Sequence, residues 1–220
     1  MIQHLIAGVQ RFQNHVFEEQ REMYEELARG QAPSTLFITC ADSRVVPNLF
    51  TQTEPGELFV LRNVGNLVPR YGSPNCGEGA GIEYAVDALG VSDIVVCGHS
   101  LCGAMQALLN PEKLRSMPLV AQWLRHAKTT QRHVLSNYGH MDPDELLEFT
   151  IETNVLAQIE NLQTYPSVRA RIAHGMLNVH AWVYQIETGD VLAYSSDERR
   201  FLRLLQSEET SGISPAEVWA

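Results

Sequence analysis

The sequence has no run of about 18 consecutive apolar residues, so nothing in it is suited to cross a bilayer as a helix. Positive charge is scarce: 16 Lys and Arg stand against 26 Asp and Glu, a net charge of −10. That balance argues against nucleic acid as a main partner, because phosphate binding needs clustered basic residues. Cysteine is sparse too. Cys40, Cys76, Cys97 and Cys102 are too few for a disulfide scaffold in 220 residues. The opening "MIQHLIAGVQRFQNHVF" lacks a charged start, a continuous apolar segment and a small-residue cleavage site, so no leader is expected. These absences imply a mature, soluble, cytoplasmic protein whose cysteines serve a metal or catalysis. What remains is ordinary: 45 % hydrophobic and 19 % charged residues, enough for one domain with appendages.

Apolar residues at 2, 5, 6, 9, 12, 16 and 17 recur at helical spacing, and Gly30 supplies a stop. The spacing predicts a long N-terminal helix over the first 29 residues, its stripe packing on another subunit or on its own domain. "STLFIT" (34–39), "ELFVLR" (57–62) and "SDIVVCGH" (92–99) read as strands, the last with a turn at Gly98. A helical stretch at 79–89 lies between the second and third, and further helices are expected at 101–109, 118–136 and 143–163. Strands alternating with helices indicate an α/β fold with a mainly parallel sheet flanked by helices. "LNVHAWVYQIE" and "VLAYSS" read as a hairpin at a sheet edge. Three segments follow: a helical arm at 1–30, an α/β catalytic domain at 31–200 and a polar tail at 201–220. The glycines at 77, 79 and 81 do not complete a dinucleotide fingerprint, since Ile82 and Tyr84 stand where small residues are needed.

Two short stretches carry the chemistry. "FITCADSR" (37–44) ends a predicted strand with Cys40, Asp42 and Arg44 at alternate positions; "VVCGHSLCG" (95–103) ends another with His99 and Cys102. Ligands bind at the carboxyl edge of parallel sheets, so the fold brings Cys40, His99 and Cys102 together. Two thiolates and an imidazole suit Zn²⁺, and three protein ligands leave a fourth position open, as catalytic zinc requires. Cys97 shares the alternation of His99 and would close the site as Cys₃His, a structural centre; the apolar run before it instead favours a buried thiol. A zinc-bound water has its pKa lowered to about 7. Asp42, ionised and paired with Arg44, is the acceptor that would orient the resulting hydroxide. His4, His126, His133, His174 and His180 have no Cys or acidic neighbour at ligand spacing.

"CADSR" followed by "HSLC", with "PGELFVLRNVGNLVP" and "GIEYAVDALGVSDIVVCGH" between them, resembles the β-class carbonic anhydrases from the N-terminal helix to about residue 195. The resemblance implies that Cys40, His99 and Cys102 hold one zinc ion per chain, with Asp42 and Arg44 as the catalytic dyad. It implies zinc-hydroxide attack on CO₂ to give bicarbonate and a proton. It further implies that Gln31 donates to a substrate oxygen and that Phe59 and Tyr84 wall a narrow apolar pocket. Phe37 stands where members with a bicarbonate-induced inactive state usually carry Trp, although Arg62 matches that branch. With Gln31 present, the site looks plant-type. Dimers or dimer-based larger oligomers are the implied assembly, and the long C-terminal extension of carboxysomal relatives is absent. A non-catalytic zinc-stabilised scaffold is the rival reading. A thiol redox enzyme is disfavoured because Cys97 and Cys102 are spaced C-x₄-C.

Overall fold

The computed structural model describes residues 2–74 and 76–204, and the chain divides into two units between Ala32 and Pro33. In the first unit, α1 (Ile2–Arg11) continues through a wider-turned segment to Glu19, and α2 (Arg21–Leu27) follows. The single helix predicted over 1–29 is therefore interrupted: at Gln20 the backbone leaves the helical region, with φ −113° and ψ 20°. The rings of Phe12, Phe17 and Tyr24 gather across this break, 5.3–6.3 Å apart. Their mutual packing offsets the lost helical hydrogen bonds. Ile2, Leu5, Ile6 and Val9 remain 44–61 % exposed, an uncovered apolar stripe.

The second unit is built on a six-stranded sheet of order β2-β1-β3-β4-β5-β6. Its strands are β1 (Thr35–Cys40), β2 (Leu58–Asn63), β3 (Asp93–His99), β4 (Asn178–Tyr184), β5 (Val191–Ser195) and β6 (Arg200–Arg203). The first four are parallel and the last two antiparallel. The β4–β5 hairpin matches the expected pair of runs. β6 carries the sheet to Arg203, beyond residue 200 where the domain was expected to end; positions 205–220 of the expected tail lie outside the described residues.

Side-chain alternation sorts the strands into two faces. Leu36 and Ile38 of β1, Ile94 and Val96 of β3, and Val179, Ala181 and Val183 of β4 face the main core. Helices α3 (Pro47–Thr51), α4 (Gly77–Glu83), α5 (Gly103–Leu109), α6 (Pro118–Trp123), α7 (Lys128–Tyr138), α8 (Pro143–Leu162) and α9 (Pro166–Ala173) join the strands. The predicted helix at 118–136 is split by a 3₁₀ turn at Leu124–Ala127. α8 starts at Asp142, whose carboxylate accepts the Asp144 N–H, with Pro143 in the first turn. It lays Leu147, Ile151, Val155, Ile159 and Leu162 onto the main core at helical spacing. On the other face, Phe37, Val95 and Cys97 form a smaller cluster with Phe50 of α3, Trp182 and Tyr184.

Gly98 does not make the predicted turn, because β3 runs on to His99. The glycine is required by α8: an added Cβ would lie 2.8 Å from a Val155 methyl and 3.1 Å from one of Ile151. Overpacking of this kind costs about 1–3 kcal/mol, so Gly98→Ala is expected to lower the melting temperature by several degrees in a thermal melt.

Glu152, on α8, is held up to about 7 from 4.5 by burial, with Glu148 one turn away adding repulsion. A carboxyl with a raised folded-state pKa binds its proton more tightly folded than unfolded, so its penalty grows as pH rises from 4.5 towards 7. With allowance for its remaining solvent contact, the cost is about 1 kcal/mol above neutrality. Glu152→Gln is expected to raise the melting temperature by about 2–4 °C at pH 8 and to leave it nearly unchanged at pH 4.5.

Candidate active site

The chain goes from β1 to β2 on one side of β1, then returns to place β3 on the other side. That reversal is a topological switch point, and Cys40 and His99 are the last residues of the two strands that flank it. Cys40 continues the row of Leu36 and Ile38, while His99 continues the row of Val95 and Cys97 on the opposite face. They meet because both lie at the carboxyl edge. Leu101 then takes a left-handed backbone conformation, φ 55°, and turns the chain back so that Cys102, at the start of α5, faces them. The ligand atoms of Cys40, His99 and Cys102 all lie within 4.8 Å of one another, and all three residues are buried.

The donor set fits a metal ion. Tetrahedral zinc with sulfur at about 2.3 Å and nitrogen at about 2.0 Å places its ligands about 3.5–3.8 Å apart. His99 Nδ1 sits 2.8 Å from the Ser100 carbonyl, which fixes its proton there and leaves Nε2 as the lone-pair donor. Nε2 is buried and has no hydrogen-bond partner, an orphan that a metal would satisfy. The two thiols share one contact: with Cys102 first and then His99 beside it, the Cys40 thiol is lowered, and Cys102 is pushed up in turn.

The D-x-R spacing has a local cause. Asp42 Oδ1 accepts the backbone N–H of Arg44 at 3.0 Å, closing an Asx turn. The Arg44 side chain returns on the same carboxylate as a fork, Nε to Oδ1 at 3.0 Å and Nη2 to Oδ2 at 2.8 Å. These bonds hold the Asp42 carboxyl well below the usual carboxylate range. Oδ2 lies 3.9 Å from His99 Nε2, beside the metal position, while Asp42 is not one of the three clustered ligands. Arg44 Nη2 also reaches the Leu101 carbonyl at 3.4 Å, linking the two motif loops.

The other cysteines stand apart. Cys97 is fully buried in the smaller cluster, its thiol pushed up to about 12 by burial. Cys76 accepts the Gly79 N–H at 3.1 Å and caps α4. Neither joins the ligand trio, which leaves that trio with three protein donors among the described residues. Phe59 and Tyr84 meet each other, with ring centroids 5.9 Å apart. The strand register sets Phe59 back from the trio within one chain. Phe59 pairs with Leu36, whereas Cys40 pairs with Asn63, so Phe59 lies four residues back, about 13 Å along the strand. Gln31 belongs to the N-terminal unit and is exposed.

Several supporting groups act on distant segments, and apart from Arg62, which the family resemblance already marks, no spacing in the sequence announces them. Arg62 holds the Cys40 carbonyl at 3.2 Å and the Asp42 carbonyl at 2.7 Å, fixing the loop between them. Ser100 Oγ accepts the Ile186 N–H at 2.9 Å and donates to Glu187 at 2.5 Å, tying the β4–β5 turn to the ligand loop. His180, without an acidic neighbour at ligand spacing in the sequence, meets Asp93 across β3 and β4 at 2.9 Å.

An open α/β sheet with a buried Cys-His-Cys trio at its switch point, and a charge-paired aspartate beside it, has the donor set of a metalloenzyme. A carbonic anhydrase family profile matches residues 35–191. A carbonic anhydrase from Synechocystis is 50 % identical over 194 residues, covering 88 % of this chain and 71 % of that protein. The solved structure of the β-carbonic anhydrase CcaA superposes with a TM-score of 0.94 at 46 % identity, covering 99 % of this chain and 97 % of that one. Tetrameric β-carbonic anhydrases from the ascomycete Sordaria macrospora superpose at 0.78 with 31 % identity, covering 87 % of this chain and 95 % of that one. The chain belongs to the β-class carbonic anhydrases. Its reaction is the reversible hydration of CO₂ to bicarbonate. No described helix is long and apolar enough to cross a membrane.

Proposed function

We propose that each chain binds one Zn²⁺ ion through the sulfurs of Cys40 and Cys102 and Nε2 of His99, and that Asp42 and Arg44 are its catalytic dyad. The ion supplies a Lewis acid that brings the pKa of water down to about 7, the established value for carbonic anhydrases. Asp42 Oδ2 faces that position and, being ionised, can only accept a hydrogen bond. It would therefore accept a hydrogen bond from the O–H of the attacking oxygen and orient that oxygen's lone pair towards CO₂. Arg44 occupies both oxygens of Asp42, which keeps the carboxylate charged and discourages it from filling the fourth position itself. Gln31 donates an N–H to a substrate oxygen, and Phe59 and Tyr84 form the apolar wall that an uncharged substrate needs.

Phe59 lies about 13 Å from the level of the ligands in its own chain, so the wall would come from a second copy. Tyr84 is 48 % exposed and Leu101 50 %, as groups awaiting a partner would be. The uncovered stripe of α1 gives such a homo-oligomer a further apolar contact. The cytoplasm, where four free thiols remain reduced, is the compartment that suits it.

The observation that carries this reading is the pairing of an open three-ligand trio with an aspartate locked by arginine. Metal analysis and a stopped-flow CO₂ hydration assay on one purified sample test it. One zinc per chain with fast hydration is expected. One zinc per chain with no hydration would favour the scaffold reading instead.

A further inference from the structure

Three amide side chains, Asn154, Gln158 and Asn161, line one edge of α8 at helical spacing; the first two are buried to within 1 %. Buried amides are tolerated only when fully hydrogen-bonded, and these form a connected ladder. Asn161 Nδ2 donates to Gln158 Oε1 at 3.2 Å, and Gln158 Nε2 donates to Asn154 Oδ1 at 2.9 Å. The ladder engages the segment after β2 at two points. Gln158 Oε1 accepts the Val68 N–H at 2.9 Å, and Asn154 Nδ2 donates to the Gly65 carbonyl at 3.2 Å. Asn63 closes the same segment from inside, bonding both the N–H and the carbonyl of Leu67. At the far end, the Gly65 N–H donates to Cys40 Sγ at 3.4 Å. Gly65 is itself constrained: its φ is +85°, and an added Cβ would lie 3.1 Å from Ala104 and Met105.

We propose that Asn154, supported by Gln158, is a positioning residue for the metal centre: it fixes Gly65 so that its N–H stays aimed at the Cys40 sulfur. A hydrogen bond to a ligating thiolate draws charge from it and leaves the bound metal more electrophilic. Such groups around the ligands control metal affinity by about 10- to 100-fold. The inference rests on the proposed zinc site, and it assigns a role to residues 89 and 90 positions away from the loop they hold.

The test uses the full chain loaded with Co²⁺, whose thiolate-to-metal charge-transfer absorption reports directly on sulfur donation. Zinc affinity is measured in parallel by chelator competition. Asn154→Leu is expected to shift the charge-transfer band and to weaken zinc about 10-fold or more, and Gln158→Met to do the same more weakly. Gln131→Leu is the control: it removes a 2.6 Å amide bond to the Leu108 carbonyl and should leave band and affinity unchanged. Absence of the band in the unmodified protein would instead refute the thiolate site itself. A normal band and zinc affinity in Asn154→Leu, or an equal shift in Gln131→Leu, would overturn the positioning role. So would failure of both ladder variants to fold while Gln131→Leu folds, since the ladder would then be needed for folding alone.

Discussion

Cys40→Ser is expected to lose zinc and hydration activity together while the sheet survives. The hydroxyl is a poor ligand at neutral pH, whereas the thiol it replaces is lowered by Cys102 and His99. His99→Ala and Cys102→Ser should behave alike, because each removes one of only three protein donors. Metal content should fall to near zero, and CO₂ hydration by at least about 1,000-fold, since the Lewis acid is lost outright. Cys40 and Cys102 lie at the carboxyl edge of the main core cluster, and exchanging sulfur for oxygen there leaves the apolar rows of β1 and β3 intact, so circular dichroism should change little. The same substitution at Cys97 separates the site from the core. Cys97→Ser should keep both zinc and activity and lose stability, because it buries a hydroxyl in the Phe37 and Val95 cluster.

Asp42→Asn should have the opposite signature: full zinc content with hydration reduced by about 100- to 1,000-fold, the usual worth of a positioned proton-handling group. An asparagine presents an N–H on one side, which cannot accept the proton of the attacking oxygen and repels the Arg44 fork. The pH dependence adds a second check. The Arg44 fork depresses the folded-state pKa of Asp42, so the ionised form and its stabilising contact are fully present above the ordinary value of 3.8. They are lost only as pH falls below it, towards the depressed value. A limb of the rate profile near neutrality would therefore belong to water on the proposed metal and not to Asp42. It should persist, at low amplitude, in Asp42→Asn. A fully active Asp42→Asn across neutral pH would remove the orienting role.

Much of this architecture can be read from short patterns. The three apolar runs became β1, β2 and β3 within a residue at either end, and the two motifs met because parallel strands present their ends at one edge. Cys40, Asp42, Arg44, His99 and Cys102 are recoverable because each bears a distinctive chemistry at a strand end. Gly98 departs from the predicted turn for a physical reason: a glycine that admits a neighbouring helix and one that makes a turn look identical in sequence. Gln20 broke a helix whose apolar spacing continues through it, since ring packing and not periodicity decided the local path. Ser100 and Asn154 act on backbone groups of distant segments, so no spacing announces them. Phe59 stands four residues back from the level of Cys40 along β2, so one chain's strand register does not bring it to the trio.

The most direct test of the proposed centre is zinc-edge X-ray absorption on the unmodified protein and on Asp42→Asn at pH 8. The account predicts two sulfurs at about 2.3 Å with one nitrogen and one oxygen near 2.0 Å, and the same shell in the variant. Three sulfurs, or an oxygen that disappears when Asp42 is replaced, would contradict it.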